Sequence, residues 1–248
     1  MSRNAVYAAL VLRVKPSGEA NRDAWFLTAE EGVIRATVFG GPKSKLRAYA
    51  APFNQGTLWI YHNPLRDSRK VSDFDVKNWR PGLRELYERT MAADAVAETV
   101  LASHGGGGNW SRALDLAGKT LDALEKGDEK TCPRTLVHFL WNWADVLGIR
   151  PDLGVCASCA CEAPRDGVLW YNGQDGNLYC PSCAKGAGFA VGPGARLWLG
   201  HVQNLDPAGL ERISLDRASL VQAGALAAAV LTEALGKRLP TWDNVFDS

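Results

Sequence analysis

The stretches Cys156-Ala157-Ser158-Cys159 and Cys180-Pro181-Ser182-Cys183 organise the second half of this 248-residue chain. Two Cys-x-x-Cys pairs separated by twenty residues are typical of a zinc site with four thiolate ligands. Zn²⁺ prefers tetrahedral coordination, and each short pair can present two sulfurs to the same side of the ion. Because four cysteines leave no coordination position open, we expect one structural zinc ion bound by Cys156, Cys159, Cys180 and Cys183.

Three alternatives involve the same cysteines. Two disulfides would need an oxidising compartment, but the N-terminus leads straight into a strand pattern with no secretory signal. A redox Cys-x-x-Cys motif would sit beside a βαβ pattern, which neither pair has. Cys161 is close enough to Cys159 to replace it as a ligand, but it breaks the matching spacing, so we expect a bystander. Because the segment between the pairs has few large apolar residues, we expect the metal to supply its folding energy.

Charge divides the chain unevenly. Residues 1–80 carry 13 Lys and Arg against 7 Asp and Glu, and residues 81–248 carry 15 against 20, although the whole chain has a net charge of only +1. This asymmetry indicates a basic binding region attached to a more neutral body. No run reaches the 18 apolar residues of a transmembrane helix, and we expect a soluble, cytoplasmic protein with no membrane partner.

Five β-strand patterns occupy the first 80 residues, over 5–15, 24–28, 33–39, 57–61 and 69–76. Turn-forming Gly and Pro residues separate the first three, and a long connection joins the third to the fourth. Five short strands with this connection favour an OB-fold β-barrel, and an SH3-like barrel is the alternative.

Basic residues flank the two loops through which OB-folds usually bind nucleic acids, those between strands one and two and between strands four and five. The predicted DNA-binding residues are Arg13, Lys15, Arg22, Arg66, Arg69 and Lys70 at the two loops, and Lys43, Lys45 and Arg47 in the long connection. Arg35 is also predicted to bind DNA if its strand face is exposed.

Aromatic residues accompany these cations. Strand side chains alternate inward and outward, so about half of the aromatic side chains belong to the core. The outward ones could stack on bases, which is the usual mode of sequence-tolerant single-strand binding. The aromatic faces are supplied by Trp25, Phe26, Phe39, Trp59, Tyr61 and Phe74.

From Gly82 the apolar period becomes helical. Helices are predicted over 83–101, over 112–126 with Ser111 as N-cap, from Pro133 to Gly148, from Asp206, and from Asp216 or Ser219 to Leu235. They favour one helical bundle with the cysteine segment inserted. The fold class is therefore α+β and multidomain, with an OB-fold over 1–80, a helical domain over 81–150 and 190–248, and a zinc-finger insertion over 151–189.

No catalytic motif stands out. Gly118-Lys119-Thr120 ends like a phosphate-binding P-loop, but Ala113 replaces the required first glycine and the spacing is helical. No His-Glu-x-x-His motif, nucleophile elbow or paired-carboxylate cluster appears, so we do not expect an enzyme.

Several motifs resemble the RecO family of bacterial recombination mediators. They are Gly18-Glu19-Ala20-Asn21-Arg22, Leu27-Thr28-x-Glu30-Glu31-Gly32, Gly40-Gly41-Pro42-Lys43-Ser44 and Leu231-x-Glu-Ala-Leu-Gly-Lys-Arg-Leu239. The four cysteines stand where that family has its zinc finger. The chain departs from the family at Leu239-Pro240-Thr241, where a Leu-Lys-Ser element is usual.

The resemblance implies binding to single- and double-stranded DNA and annealing of complementary strands. It also implies that the protein acts together with RecR to help RecA load onto single-stranded DNA coated by single-stranded-DNA-binding protein. The implied location is the cytoplasm, at the nucleoid. Two other function classes remain open. One is a protein-interaction adaptor whose basic face is incidental, and the other is a zinc-dependent nucleic-acid enzyme.

Overall fold

The computed structural model describes residues 4–41, 44–66 and 68–246, and the first part of this range forms a β-barrel. Its strands are β1 (Asn4–Ser17), β2 (Asn21–Thr28), β3 (Gly32–Val38), β4 (Gln55–Asn63) and β5 (Ser68–Asn78). Neighbouring strands pair in the order β1-β2-β3-β5-β4, and β4 returns to β1 to close the barrel. All pairs are antiparallel except β3 with β5. The prediction of an OB-like barrel is confirmed.

The barrel interior follows from the alternation of apolar residues along each strand. Alternate residues point inward and are buried, and the rings of Phe26 and Phe74 meet edge to face at 6.0 Å. The connection between β3 and β4 contains a short helix, α1 (Lys45–Tyr49), which the sequence did not predict.

Helices form the second part of the molecule, as predicted. The predicted N-cap of the helix Trp110–Lys126 is wrong: the Asn109 side chain, not Ser111, accepts a hydrogen bond from the backbone N–H of Arg112, at 3.2 Å. Two 3₁₀ turns, Pro81–Arg84 and Pro207–Arg212, complete the connections. The helices are α2 (Tyr87–Ala102), α3 (Trp110–Lys126), α4 (Thr131–Val146), α6 (Pro193–Val202), α7 (Arg217–Leu235) and α8 (Pro240–Phe246).

The cysteine segment lies between α4 and α6 and carries a three-stranded sheet in the order β7-β6-β8. Its elements are β6 (Leu169–Asn172), β7 (Asn177–Tyr179), the one-turn α5 (Pro181–Ala184) and β8 (Phe189–Val191). The side chains of Leu169, Tyr171, Leu178 and Val191 are buried and join the core of the helices. The segment therefore buries apolar side chains against the helices in addition to any contribution that a bound metal makes to its folding.

One outer side of the barrel belongs to the core of the helices. Leu10 and Leu27, which pair across β1 and β2 and point out of the barrel, pack among the helix side chains. The glycine-rich loop after α2 is part of this contact. A Cβ added at Gly105 would lie 3.1 Å from Val33, and one added at Gly106 would lie 2.8 Å from Val146. Gly105 thus permits close packing against the barrel, and Gly106 permits close packing against α4.

Arg80 links the barrel to α3. It is buried, and its backbone is left-handed, with φ +46°. Its guanidinium donates to the Asp122 carboxylate at 2.6 Å and the Gln55 side chain at 2.7 Å. It also donates to the carbonyl oxygens of Phe53 and Gly118, at 2.8 and 3.2 Å. One side chain thus satisfies acceptors from both parts of the molecule.

Within the described residues, α7 is the one helix whose length and composition would let it cross a membrane. Its Leu226, Val230 and Leu231 side chains are buried in the helical core. A central helix of a packed core has the same apolar composition.

Candidate metal centre and nucleic-acid interface

The four predicted cysteine ligands come together in space. The Sγ atoms of Cys156, Cys159, Cys180 and Cys183 all lie within 4.8 Å of one another, and those of Cys159 and Cys180 are 3.9 Å apart. Tetrahedral zinc–thiolate bonds of about 2.3 Å place sulfurs roughly 3.8 Å apart, so these distances fit such an ion. The cluster could hold a metal ion.

Two tight turns position the sulfurs. In the first, the Cys156 backbone N–H donates to the Cys161 carbonyl at 2.9 Å, and Ala160 adopts a left-handed conformation. In the second, Cys180 is the N-cap of α5, and its carbonyl accepts from the Cys183 N–H at 3.0 Å. Backbone N–H groups of Cys159 and Cys180 lower the pKa of the Cys156 thiol to about 6. This favours the thiolate form that binds metal.

Cys161 lies outside the four-sulfur cluster and is exposed. Its hydrogen bond with Cys159 raises the pKa of the Cys161 thiol to about 12, and the hydrogen bond with Cys180 does the same for the Cys183 thiol, so the position of the sulfur atoms is what sets Cys161 apart.

Arg196 of α6 fastens the cysteine segment to the helices. The side chain is buried and donates to the Leu153 carbonyl at 3.1 Å and to the Arg165 carbonyl at 3.2 Å. It also bonds the Pro164 and Gly167 carbonyls. Desolvation lowers the pKa of this guanidinium, which nevertheless stays charged.

Five residues form a continuous outward surface on the barrel, which we call the basic-aromatic face. The parallel register of β3 and β5 pairs Thr37 with Lys70 and so joins the β2–β3 face to the β4–β5 hairpin. Antiparallel pairing places Lys15 opposite Asp23, and Asp23 opposite Thr37, in the same row across the sheet. The basic-aromatic face consists of Lys15, Trp25, Arg35, Phe39 and Lys70.

Trp25 lies at one end of this face among cations. The Arg35 guanidinium is 5.4 Å and the Lys15 ammonium 6.0 Å from its ring centroid. The Arg35 side chain is 62% exposed, so the predicted condition for including it is met. Arg35 also pairs with Asp23, which is only 10% exposed. Desolvation raises the pKa of the Asp23 carboxyl, but hydrogen bonds from Arg35 and Thr37 outweigh it and lower that pKa.

Phe39 and Lys70 form the other end of the face. Phe39 is 44% exposed, and the Lys70 ammonium lies 4.8 Å from its ring centroid. Cations stacked on exposed aromatic rings can contact phosphates while the free ring edges or faces remain available to bases.

A shallow cleft of about 300 Å³ adjoins the turn between β1 and β2, and its lining includes Lys15, Arg22 and Arg47. Residues from the first turn and from the long connection therefore line the same cleft. Lys45 is exposed on α1. Lys43 lies outside the described residues.

The remaining predicted cations are dispersed. Arg66 is exposed at the tip of the β4–β5 hairpin. Arg69 instead bonds Glu31 at 2.8 Å, and Glu31 also accepts the Tyr7 hydroxyl at 2.5 Å. Arg13 lies beside α2, where its charge opposes the desolvation that raises the pKa of the Asp94 carboxyl.

The aromatic residues divide between core and surface. Phe26 and Phe74 are buried, whereas Trp25 and Phe39 carry the cations described above. Trp59 is half-buried on β4, opposite Val6 of β1 and Asp73 of β5, so it is not part of the barrel core.

Sequence reasoning missed Asp23, the buried partner of Arg35, and the contact between Lys70 and Phe39. Strand spacing alone gives neither the register of β2 against β3, which places Asp23 beside Arg35, nor the pairing of β3 with β5, which brings Lys70 close to Phe39. The acidic residue Asp23, next to Arg22 on β2, is the one sequence signal that could have indicated the pair of Asp23 and Arg35.

Comparison with known proteins covers nearly the whole chain. Residues 1–78 match the family described as "Recombination protein O N terminal", and residues 84–243 match "Recombination protein O C terminal". The chain belongs to the RecO family. The resemblance predicted from the sequence motifs is confirmed.

Individual relatives agree with this family. The DNA repair protein RecO of Rubrobacter xylanophilus is 29% identical over 201 residues, which are 79% of this chain and 78% of that protein. Its counterpart in Maridesulfovibrio salexigens is 27% identical over 209 residues, 80% of this chain and 82% of that protein. The Geobacter metallireducens protein is 28% identical over 196 residues, 78% of each chain. RecO membership supports a role in DNA repair and recombination, and neither matching model describes a catalytic family.

Proposed function

We propose that the protein is a DNA-binding recombination mediator. It binds single- and double-stranded DNA and anneals complementary strands in the cytoplasm. With RecR, it promotes loading of RecA onto single strands coated by single-stranded-DNA-binding protein. RecO family membership supports the recombination role. The basic-aromatic face is the observation that carries DNA binding, because it combines outward cations with outward aromatic rings on one barrel surface.

Annealing makes two physical demands on such a surface. The phosphate repulsion between two strands must be neutralised, and the base edges must remain free to pair. Cations on a convex barrel surface meet the first demand without enclosing the strand. Exposed rings meet the second, because stacking holds a base by its face and leaves its edge accessible.

Phosphate contacts are assigned first to the cations for which the structure describes no carboxylate partner. Arg35 is a weaker contact, since part of its charge is balanced by Asp23, and Arg69 and Arg13 contribute mainly to the local field. Lys43 is included from the sequence alone. The first group comprises Lys15, Arg22, Lys45, Arg47, Arg66 and Lys70.

We further propose that the metal is one structural zinc ion. Four thiols fill the tetrahedron, so Cys156, Cys159, Cys180 and Cys183 leave no position for water or substrate. When bound, the ion supplies cross-linking of the two turns, and no catalytic step is assigned to it.

A salt titration of DNA affinity tests the proposed function. For about five phosphates on a single strand, log K should fall against log [salt] with a slope of roughly −3.5. Replacing Lys15, Arg22 and Arg47 together by Ala should flatten this slope by about two and weaken two unrelated sequences alike. Annealing of complementary oligonucleotides should fall in the same variant.

The matched control replaces Arg212, Arg217 and Lys237, three exposed cations of the helical part, by Ala. This control removes the same amount of charge, but from residues outside the proposed DNA-binding set. It should therefore change DNA affinity only slightly and leave the slope of log K against log [salt] unchanged. Circular dichroism checks that both variants fold. If the two triple variants had equal effects, or if the slope were unchanged in the variant lacking Lys15, Arg22 and Arg47, these three cations would not belong to the DNA site. That result would favour the protein-interaction adaptor.

A further inference from the structure

Leu65, at the tip of the β4–β5 hairpin, is the most exposed large apolar side chain among the described residues, at 90%. Pro64 and Arg66, on either side of it, are also exposed. A single exposed leucine is common on protein surfaces and needs no explanation. Three further features distinguish this one: its rigid support, its charged surroundings and its position relative to the basic-aromatic face.

The backbone that carries Leu65 is held in a hydrogen-bonded turn. The Asn63 side-chain oxygen accepts from the Leu65 N–H at 3.1 Å, and the Asn63 carbonyl accepts from the Arg66 N–H at 3.2 Å. Pro64 fixes its own φ near −65°, the value required at the second position of such a turn. Pairing of Asn63 with Ser68 closes the hairpin. Leu65 is therefore presented on a preorganised support, which reduces the entropy lost on binding.

The surroundings of Leu65 are basic. Residues 61–70 contain three cationic residues and one acidic residue, and of the three cations Arg69 is paired with Glu31, so Arg66 and Lys70 supply the positive charge. Lys70 follows Ser68 by two residues on β5 and contacts Phe39 of the basic-aromatic face. A strand or duplex held by this face would thus continue towards the hairpin tip, where Arg66 is placed to contact a phosphate beside Leu65.

We propose that Leu65 is an apolar wedge that inserts between adjacent bases of double-stranded DNA and unstacks them. This inference rests on the proposed DNA-binding function and adds to the basic-aromatic face a contact that is specific to duplex DNA. Proteins that part a base step use Leu, Phe, Ile, Met or Pro side chains for it, beside cations that hold the flanking phosphates. A leucine side chain has no hydrogen-bonding group, so the contact depends little on sequence. Flexible pyrimidine–purine steps, which unstack most easily, are its favoured targets.

Fluorescence of a 2-aminopurine base placed within a duplex tests the wedge, because stacking quenches this base. Full-length wild-type protein at saturating concentration should raise the emission about twofold or more from a duplex with the probe at a thymine–adenine step. Leu65→Ser should abolish the rise while lowering affinity by less than about tenfold, since the phosphate contacts remain. Leu65→Met should restore it. Val221→Ser, which removes an apolar side chain 52% exposed on α7, should behave as wild type.

Fluorescence anisotropy of a labelled duplex, measured in parallel, separates the two proposals. Bound duplex with no rise in emission in the wild type, or an undiminished rise in Leu65→Ser, would overturn the wedge and leave DNA binding intact. Absence of duplex and single-strand binding in the wild type would overturn the proposed function and the wedge with it. Loss of RecR binding in Leu65→Ser, with the rise intact, would make Leu65 a protein contact instead.

Discussion

His138 shows how pH acts on this fold through a single residue. Its side chain is 1% exposed within α4, and its Nε2 lies 3.0 Å from the Leu205 carbonyl oxygen. A carbonyl only accepts, so Nε2 carries the proton of the neutral ring. Burial lowers the pKa of His138, although the bond to Leu205 and the charge of Asp206 oppose this.

A buried neutral histidine makes the protein less stable in mild acid. Below about pH 6.5, His138 is protonated in the unfolded chain but stays neutral in the folded chain. The free energy of unfolding therefore decreases as the pH is lowered. The limiting slope is about 1.4 kcal/mol per pH unit for one proton. His138→Gln should lower stability at pH 7.5 but flatten the decline between pH 6.5 and 5.5. Urea unfolding at pH 7.5, 6.5 and 5.5 measures this.

The control for that experiment is His201→Gln, because His201 is exposed on α6. Release of metal in acid should lower the stability of the wild type, His138→Gln and His201→Gln equally, so this effect cancels when their stabilities are compared. If His138→Gln lost stability with pH as steeply as the wild type, protonation of this ring would not contribute to the decline.

Residue types were predictable from the sequence more often than residue partners. The clustering of the four cysteines followed from their spacing, because a tetrahedral ion would impose that spacing. Arg69 carried the same sequence signal as Lys70, yet it pairs with Glu31 of the β2–β3 turn while Lys70 lies over Phe39. Neighbouring residues on a strand point to opposite sides, and only the barrel closure decides which groups each one meets.

At the scale of elements, strands and long helices were predictable and short helices were not. Strand alternation and helical period survive in the sequence because each reflects a buried face. The one-turn α1 buries no residue fully, so it leaves no such pattern. The starts of α6 and α8 did have a signal, since Pro193 and Pro240 occupy their first turns.

The two cysteine turns should depend on metal more than the sheet beside them does. We expect about one zinc ion per chain, and Cys156→Ser or Cys180→Ser should lose it. Cys161→Ser should retain it, because Cys161 lies outside the cluster. Metal analysis of the purified variants gives the stoichiometry.

Loss of the ion should leave β6 and the helices folded, because Leu169 and Tyr171 are anchored in the helical core. Limited proteolysis of the Cys156→Ser variant should therefore cut first near residues 156–162 and 180–188, with the rest protected. Global unfolding in that variant would mean that the buried side chains are insufficient, and a Cys161→Ser variant without zinc would change the ligand assignment.

At the scale of the whole molecule, barrel and helices are coupled through a shared core and through Arg80. Its guanidinium serves four acceptors from the long connection, β4 and α3, and its left-handed backbone turns the chain from β5 into the first 3₁₀ turn. The Asp122 carboxylate is 48% exposed and can be solvated without Arg80, whereas the Phe53 and Gly118 carbonyls belong to the buried contact. When Arg80 is removed, the decrease in the free energy of unfolding thus comes mainly from leaving these two buried carbonyl groups without a hydrogen bond.

Arg80→Ala should lower the free energy of unfolding by roughly 3 kcal/mol, since hydrogen bonds from a charged group contribute about 1.5–3 kcal/mol each and are not additive. Arg84→Ala is the matched control. Arg84 also reaches the long connection, through the Pro52 carbonyl at 2.8 Å, but it is exposed, and its loss should cost less than about 1 kcal/mol. Urea unfolding followed by tryptophan fluorescence and by far-ultraviolet circular dichroism should give coincident transitions for the wild type and Arg84→Ala. Separated transitions in Arg80→Ala would mark independent unfolding of barrel and helices, whereas a single transition at the wild-type midpoint would show that the shared apolar core couples them without Arg80.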